Sequence, residues 1–186
     1  MTEQMPLEIE RKYLIRRPSA QVLAALPEVR ADEITQTYLT PGEDGFSRRV
    51  RRRGTPERGW HFTYTRKQTI GFGERIELED EISEAAYQEL LHEADPEMHP
   101  IRKVRYVFTH LGQVFELDVY AFSETLATLE IELPSIDTPV TLPEQIGILE
   151  DVTGKPATAT MKCPGSWHSR NKNVSCRLNN ANNLAE

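Results

Sequence analysis

The chain has 186 residues, 38% hydrophobic and 27% charged, which suits one globular domain with a sizeable core. Its net charge of −7 argues against a general nucleic-acid binder, whose footprint is basic. No apolar run is long enough for a membrane-spanning helix, and Met1–Pro6 lacks the basic and apolar regions of a signal peptide, so a cytoplasmic location without a membrane partner is expected.

The first element is Leu7-Glu8-Ile9-Glu10-Arg11-Lys12-Tyr13, which alternates with period two. A strand over 7–15 turns Glu8, Glu10 and Lys12 to one face and Leu7, Ile9 and Arg11 to the other. Ser19 then caps a short helix carrying Val22, Leu23 and Leu26, closed at Pro27. A strand over 33–40 leads to the turn Thr40-Pro-Gly-Glu-Asp-Gly45. A strand over 46–53 puts Arg49, Arg51 and Arg53 in phase, and one over 60–68 does the same for Thr63, Thr65 and Lys67. Residues 74–82 place Arg75, Glu77, Glu79 and Glu81 opposite Ile76, Leu78 and Ile82. Ser83 caps a second helix with the stripe Tyr87, Leu90, Leu91 and Ala94. Three strands follow: 101–109 with Lys103 and Arg105, 114–121 with Glu116 and Asp118, and 127–134 with Glu130 and Glu132. A third short helix is expected over 142–151. From about Lys155 the chain is polar and aperiodic, so 1–154 reads as one domain and 155–186 as an irregular or partly disordered tail. Cys163 and Cys176 lie in that tail, and neither a disulfide nor a zinc site is expected.

About eight strands joined by short turns indicate a mainly β (α+β) fold, an antiparallel sheet or barrel with about three short helices laid against it. Period two leaves two readings of the charged faces. In one they are solvated, with the apolar faces forming a sandwich core. In the other the sheet closes into a barrel whose lumen is charged. A charged lumen left dry and unpaired is costly. It makes sense filled with water, metal and a highly charged ligand. Clustered guanidinium forks match phosphate oxygens. Carboxylate pairs beside a polyanion call for Mg²⁺ or Mn²⁺ between them.

The run of motifs resembles the CYTH superfamily, the triphosphate tunnel metalloenzymes. Glu8-Ile-Glu-Arg-Lys12 looks like that family's Glu-x-Glu-x-Lys signature. Arg49-x-Arg51 with Arg53, Thr65-x-Lys67, Arg75-x-Glu77-x-Glu79, Lys103-x-Arg105, Glu116-x-Asp118 and Glu130-x-Glu132 follow in the family's order, over about residues 5–154. The resemblance implies an eight-stranded antiparallel β-barrel forming a charged tunnel, and metal-dependent hydrolysis of a triphosphate. By that resemblance Lys12, Arg49, Arg51, Lys67, Lys103 and Arg105 clamp phosphate. Glu8, Glu10, Asp118, Glu130 and Glu132 bind two Mg²⁺ or Mn²⁺ ions, and the pairs Glu8/Glu10 and Glu130/Glu132, with Lys12, make the catalytic set. Arg53 and Arg75 extend the clamp, and Glu77 and Glu79 extend the metal ligands, or each serves as a salt-bridge partner in the lumen. Glu116 reads as structural support. Arg48, Arg52, Arg66 and Glu81 read as surface or rim charges, and the mechanism requires neither His61 nor His110.

The chain departs from the family pattern after Asp151-Val-Thr-Gly154, where an Arg-Tyr-x-Asn-like stretch is delayed to 177–184. A lid formed by that tail is one expectation. Inorganic tripolyphosphate is the expected substrate, cleaved to pyrophosphate and phosphate. A class IV-type adenylate cyclase, a thiamine or nucleoside triphosphatase and a polyphosphate-binding module are the alternatives. The expected partner is a small-molecule triphosphate. The apolar outer face can support a homodimer or be covered by the helices.

Overall fold

The computed structural model describes residues 6–155. The strands are β1 (Leu7–Arg16), β2 (Arg30–Leu39), β3 (Ser47–Thr55), β4 (Gly59–Gly71), β5 (Glu74–Ile82), β6 (Ile101–His110), β7 (Gln113–Tyr120), β8 (Leu126–Glu132) and β9 (Ile148–Asp151). They run in the order β5-β4-β3-β2-β6-β7-β8-β1, and a pairing of β5 with β1 closes the ring. Every pairing is antiparallel. The result is a closed eight-stranded barrel with β9 attached to β1. Closure leaves no long free edge among these eight strands.

β1 does three jobs along its length. Residues 7–9 pair with β5, residues 10–16 pair with β8, and residues 13–15 pair with β9. β9 therefore fills the edge of β1 that β5 leaves free. This corrects the expectation of a helix over 142–151. Pro143 and Gly147 disfavour a helix there, and the unpaired groups of β1 offer a ladder instead. Among the described residues the helices number two, α1 (Ala20–Ala24) and α2 (Glu84–Leu90), the latter extended by the 3₁₀ turn Leu91–Glu93. Both expected caps form, with Ser19 Oγ accepting from Val22 N at 3.3 Å and Ser83 Oγ from Ala86 N at 3.1 Å.

Most apolar residues of the strands lie on the outside of the ring, with Ile34 and Tyr120 among the exceptions in the inward phase, and this excludes the sandwich. Tyr13, Ile15, Phe115, Leu117, Ala127, Leu129 and Ile131 are buried together under Val22, Leu23 and Leu26 of the α1 region and under Val140, Leu142, Ile146 and Ile148. On the opposite flank Leu39, Val50 and Phe62 pack against Tyr87 of α2. Each large aliphatic or phenylalanine side chain among them contributes roughly 1.5–3 kcal/mol by leaving water. The helices thus cover apolar surface outside the barrel, and the polar phase of every strand is left facing inward.

Two glycines set turns that border the interior. Gly54 has φ 148°, and a Cβ there would lie 2.1 Å from the Gly59 carbonyl, so the β3–β4 turn tolerates no side chain at that point. Gly73 has φ 69° and its carbonyl accepts from Glu10 N at 3.0 Å, which seats the β4–β5 turn on β1. No helix among the described residues is long and apolar enough to cross a membrane. The expectations for residues 156–186, including both cysteines and the lid, lie outside the described residues.

Candidate active site

The seven motif strands hold their expected residues in the phase opposite the buried apolar residues, with Glu79 and Glu132 exposed. Ring position separates the charges. β3, with Arg49, Arg51 and Arg53, stands four places from β8, with Glu130 and Glu132, whichever way the ring is counted. The β3 arginines therefore face β8 across the barrel, whereas β4 and β6 stand two places from β1 and β8 and reach them past one intervening strand.

One group of charges is fully paired. Arg105 grips Asp118 with two parallel hydrogen bonds of 2.7 Å and reaches past β7 to Glu130 at 2.9 Å. Its remaining nitrogen meets Glu116, in keeping with a supporting role for that residue. Lys12 pairs with Glu130, and Lys103 pairs with Asp118. Burial opposes the charge on Glu130, but Lys12, Arg105 and Lys103 outweigh it and hold the carboxyl well below its ordinary range. Burial likewise opposes the charge on Asp118, and Lys103 and Arg105 hold that carboxyl down. Complete burial and then the Arg105 charge push the Lys103 ammonium down to about 8, despite Asp118.

A second group is strained by like charges. Arg75 bonds Glu10 at 2.6 Å, and Lys67 of β4 reaches past β5 to Glu8 at 2.8 Å and also pairs with Glu77. Burial and the neighbouring Glu130 still raise the Glu10 carboxyl above its ordinary value. Burial and Glu77 do the same to Glu8. Glu10 and Glu132 are direct cross-strand neighbours in the β1–β8 ladder. Glu132 is raised by partial burial and by Glu8 and Glu116.

The cations of β3 are the least satisfied. Arg49 donates one bond of 3.3 Å to Glu77 while its Nε is buried without a hydrogen-bond partner. Arg51 comes only within 3.7 Å of Glu79, which accepts instead from Thr65 at 2.8 Å. The Nε atoms of Arg51 and Arg75 are also buried without a hydrogen-bond partner. Burial, Arg49 and Arg105 together push Arg51 down to about 10. A buried cation held in this way costs free energy that an anionic partner would offset.

Arg53 behaves differently from its two neighbours in the row. Its Nε bonds Asp32 Oδ2 at 2.8 Å, and Arg30 bonds the same oxygen at 2.9 Å. Arg58, from the β3–β4 turn, bonds Asp32 Oδ1 and the Ala31 carbonyl, both at 2.5 Å. Asp32 itself is 1% exposed. Sequence reasoning missed it because β2 was expected to begin at residue 33. The alternation Asp32-x-Ile34-x-Gln36, all buried, was the available signal. Tyr120 and Thr128, hydrogen-bonded at 3.1 Å in the interior, were also missed. The expected outer charges lie outside: Arg48 bonds Tyr64 and Glu93, Arg52 lies over Trp60, and His61 and Glu81 are exposed.

The Asp32 cluster gives a pH test. Burial alone would raise this carboxyl, but the Arg30 and Arg53 hydrogen bonds and charges bring it down to about 2. A depressed carboxyl stabilises the fold above its unfolded pKa near 3.8 and loses that contribution as pH falls through about 2. Urea titrations at pH 5 and pH 2.5 should therefore show wild type losing ~2 kcal/mol more than Asp32→Asn. Equal losses in the two proteins would remove the assignment.

Among the described residues no group of three or more His, Cys, Asp or Glu side chains converges into a ready-made metal cage. Lys12, Lys67 and Arg75 instead hold the carboxylates that a metal would use. The chemistry of the set nevertheless fits a hard divalent ion. The donors are all carboxylate oxygens, and Glu8, Glu10 and Glu132 crowd one another enough to rise in pKa.

No protein-family model matches the chain. No curated protein matches it either. Among solved structures, the chain is similar to the crystal structure of the inorganic triphosphatase NE1496, at 28% identity and TM-score 0.51, over 82% of this chain and 91% of that one. A crystal structure described as the hypothetical protein NE1496 matches at 30% identity and TM-score 0.50, over 80% of this chain and 90% of that one. The PH1012 protein from Pyrococcus horikoshii OT3, at 19% identity and TM-score 0.50 over 69% of this chain and 80% of that one, shares the fold.

Proposed function

The chain belongs to the CYTH superfamily, and from that premise we propose that it hydrolyses a triphosphate, most simply inorganic tripolyphosphate to pyrophosphate and phosphate, within a charged tunnel through the barrel. The observation that carries this reading is the split interior: under-satisfied cations at Arg49 and Arg51, and crowded carboxylates with raised pKa at Glu8, Glu10 and Glu132. A polyanion relieves the first set and a divalent cation relieves the second. NE1496, described as an inorganic triphosphatase, supports the same choice of substrate.

In this reading Arg49, Arg51, Lys67, Lys103 and Arg105 bind and orient the phosphates from the β3, β4 and β6 side. Arg75 releases Glu10 and turns its guanidinium to the anion. Glu8, Glu10, Glu130 and Glu132, with Asp118, Glu77 and Glu79 behind them, would hold Mg²⁺ or Mn²⁺. When bound, such an ion supplies charge neutralisation and lowers the pKa of the attacking water. Water adds across the terminal P–O–P bond. Its oxygen goes to the terminal phosphorus, its proton to a carboxylate, and pyrophosphate leaves. The barrel's contribution is positioning and electrostatic stabilisation, with no protein nucleophile.

The test is phosphate release from tripolyphosphate, ATP and thiamine triphosphate with Mg²⁺, Mn²⁺ or EDTA. We expect metal-dependent release from tripolyphosphate, abolished by EDTA and lowered at least ~100-fold in Glu8→Gln. Cyclic AMP from ATP would replace the reading with a cyclase. Tight tripolyphosphate binding without turnover in any metal would replace it with a polyphosphate-binding module.

A further inference from the structure

The interior arginines of β3 form a row, Arg49, Arg51 and Arg53, spaced two residues apart and about 6.6 Å from one to the next along the strand. All three side chains are in the same phase. A polyphosphate lying along this row would meet three guanidiniums in turn. The first two have donors to spare, because Arg49 and Arg51 each keep a buried Nε without a hydrogen-bond partner. The third does not, because Arg53 gives its Nε to Asp32.

Asp32 sits where the row ends. It lies on β2, next to β3 in the ring, and in the β2–β6 ladder it is opposite Arg105. Its carboxylate is nearly sealed from solvent, and both oxygens are used: Oδ2 accepts from Arg53 and Arg30, and Oδ1 accepts from Arg58. Three guanidiniums converging on one compact anion is the arrangement that phosphate takes in arginine-lined sites. Here the protein supplies the anion itself. Arg58 also bonds the Ala31 carbonyl, so the β3–β4 turn is fastened to β2 at the same place.

We propose that Asp32 is a specificity-determining residue that stands in for a phosphate at the end of the β3 arginine row and so limits the length of the linear polyphosphate the barrel accepts. This rests on the triphosphate reading of the interior. A three-phosphate chain uses Arg49 and Arg51 with the β4 and β6 cations. A fourth phosphate in line would need Arg53, Arg30 and Arg58, and meets the Asp32 charge instead. Like charge at that position disfavours the longer chain, and the arginines there are already taken. Removing only the charge, in Asp32→Asn, frees three guanidiniums with little change of shape.

The experiment compares tripolyphosphate with tetrapolyphosphate by calorimetric binding and by phosphate release, in wild type and in Asp32→Asn. In wild type, tetrapolyphosphate is expected to bind no tighter than tripolyphosphate despite its extra charge. In Asp32→Asn the affinity ratio of tetrapolyphosphate to tripolyphosphate is expected to rise ~10-fold or more, and where turnover is measured the change appears in KM. An unchanged ratio in the folded variant overturns the proposal. If Asp32→Asn does not fold, wild type decides: tetrapolyphosphate binding ~10-fold tighter than tripolyphosphate overturns the proposal, and equal or weaker binding upholds it. The two readings fail separately. Absence of turnover in wild type counts against hydrolysis, while the binding ratio still decides the role of Asp32.

Discussion

Arg51→Gln is expected to bind tripolyphosphate about 100-fold more weakly than wild type while melting no lower. Most substitutions that weaken a site through misfolding lower both quantities, so the combination identifies a group held for its ligand. The expectation follows from the surroundings of Arg51. Its guanidinium is buried, its closest carboxylate oxygen is 3.7 Å away on Glu79, and Arg49 and Arg105 repel it. Among these neighbours that charge gains little and costs its hydration. Glutamine keeps a polar end and removes the penalty. A phosphate loses a charge-assisted partner, worth about 2–3 kcal/mol in such a setting. Calorimetric binding and a thermal melt of the two proteins check it. A melting point that falls with the affinity would show that Arg51 supports the fold.

Glu130→Gln carries the opposite signature. Glu130 accepts from Lys12 on one oxygen and from Arg105 on the other. Lys12 is held above its ordinary pKa although burial works against its charge, because Glu130 outweighs the burial. Loss of the carboxylate charge leaves that ammonium buried without its main partner, at a cost of about 3 kcal/mol. For a domain of this size the cost corresponds to a melting point lower by about 10 °C. Activity should fall ~1,000-fold, since the same carboxylate belongs to the proposed metal-binding pair. The two effects separate in a double variant. Lys12→Met with Glu130→Gln should recover at least half of the lost stability, because no unpaired charge remains, and should recover no activity. Stability that stays low in the double variant would contradict the pairing, and recovered activity would remove Glu130 from the catalytic set.

These expectations draw unequally on sequence and on tertiary structure. Period-two alternation placed Glu8, Glu10 and Lys12 on one face, and likewise Arg49 and Arg51, Lys103 and Arg105, and Glu130 and Glu132. In an extended chain successive side chains must point to opposite sides, so the face of each residue is a local property. The eight barrel strands and the two capped helices were legible for the same reason, from alternation, turn residues and the serines before the helices. Resemblance to a known family chose the barrel over the sandwich, which alternation alone left open.

Which charge meets which was not a local property. That Arg105 reaches Glu130 past β7, that Lys67 reaches Glu8 past β5, and that Arg51 is left nearly alone depend on strand register and on ring closure. Both bring together residues far apart in the chain, and alternation carries no information about either. β9 was invisible for a related reason. Residues 148–151 become a strand only because β5 leaves β1 after Ile9 and exposes an edge that must be paired. Asp32 shows the same dependence most sharply. An acid near the start of β2 and three alternating arginines on β3 can be read from the chain alone. Register between β2 and β3, with the Arg58 turn folded back onto β2, is what sets this acid against the last arginine of the row.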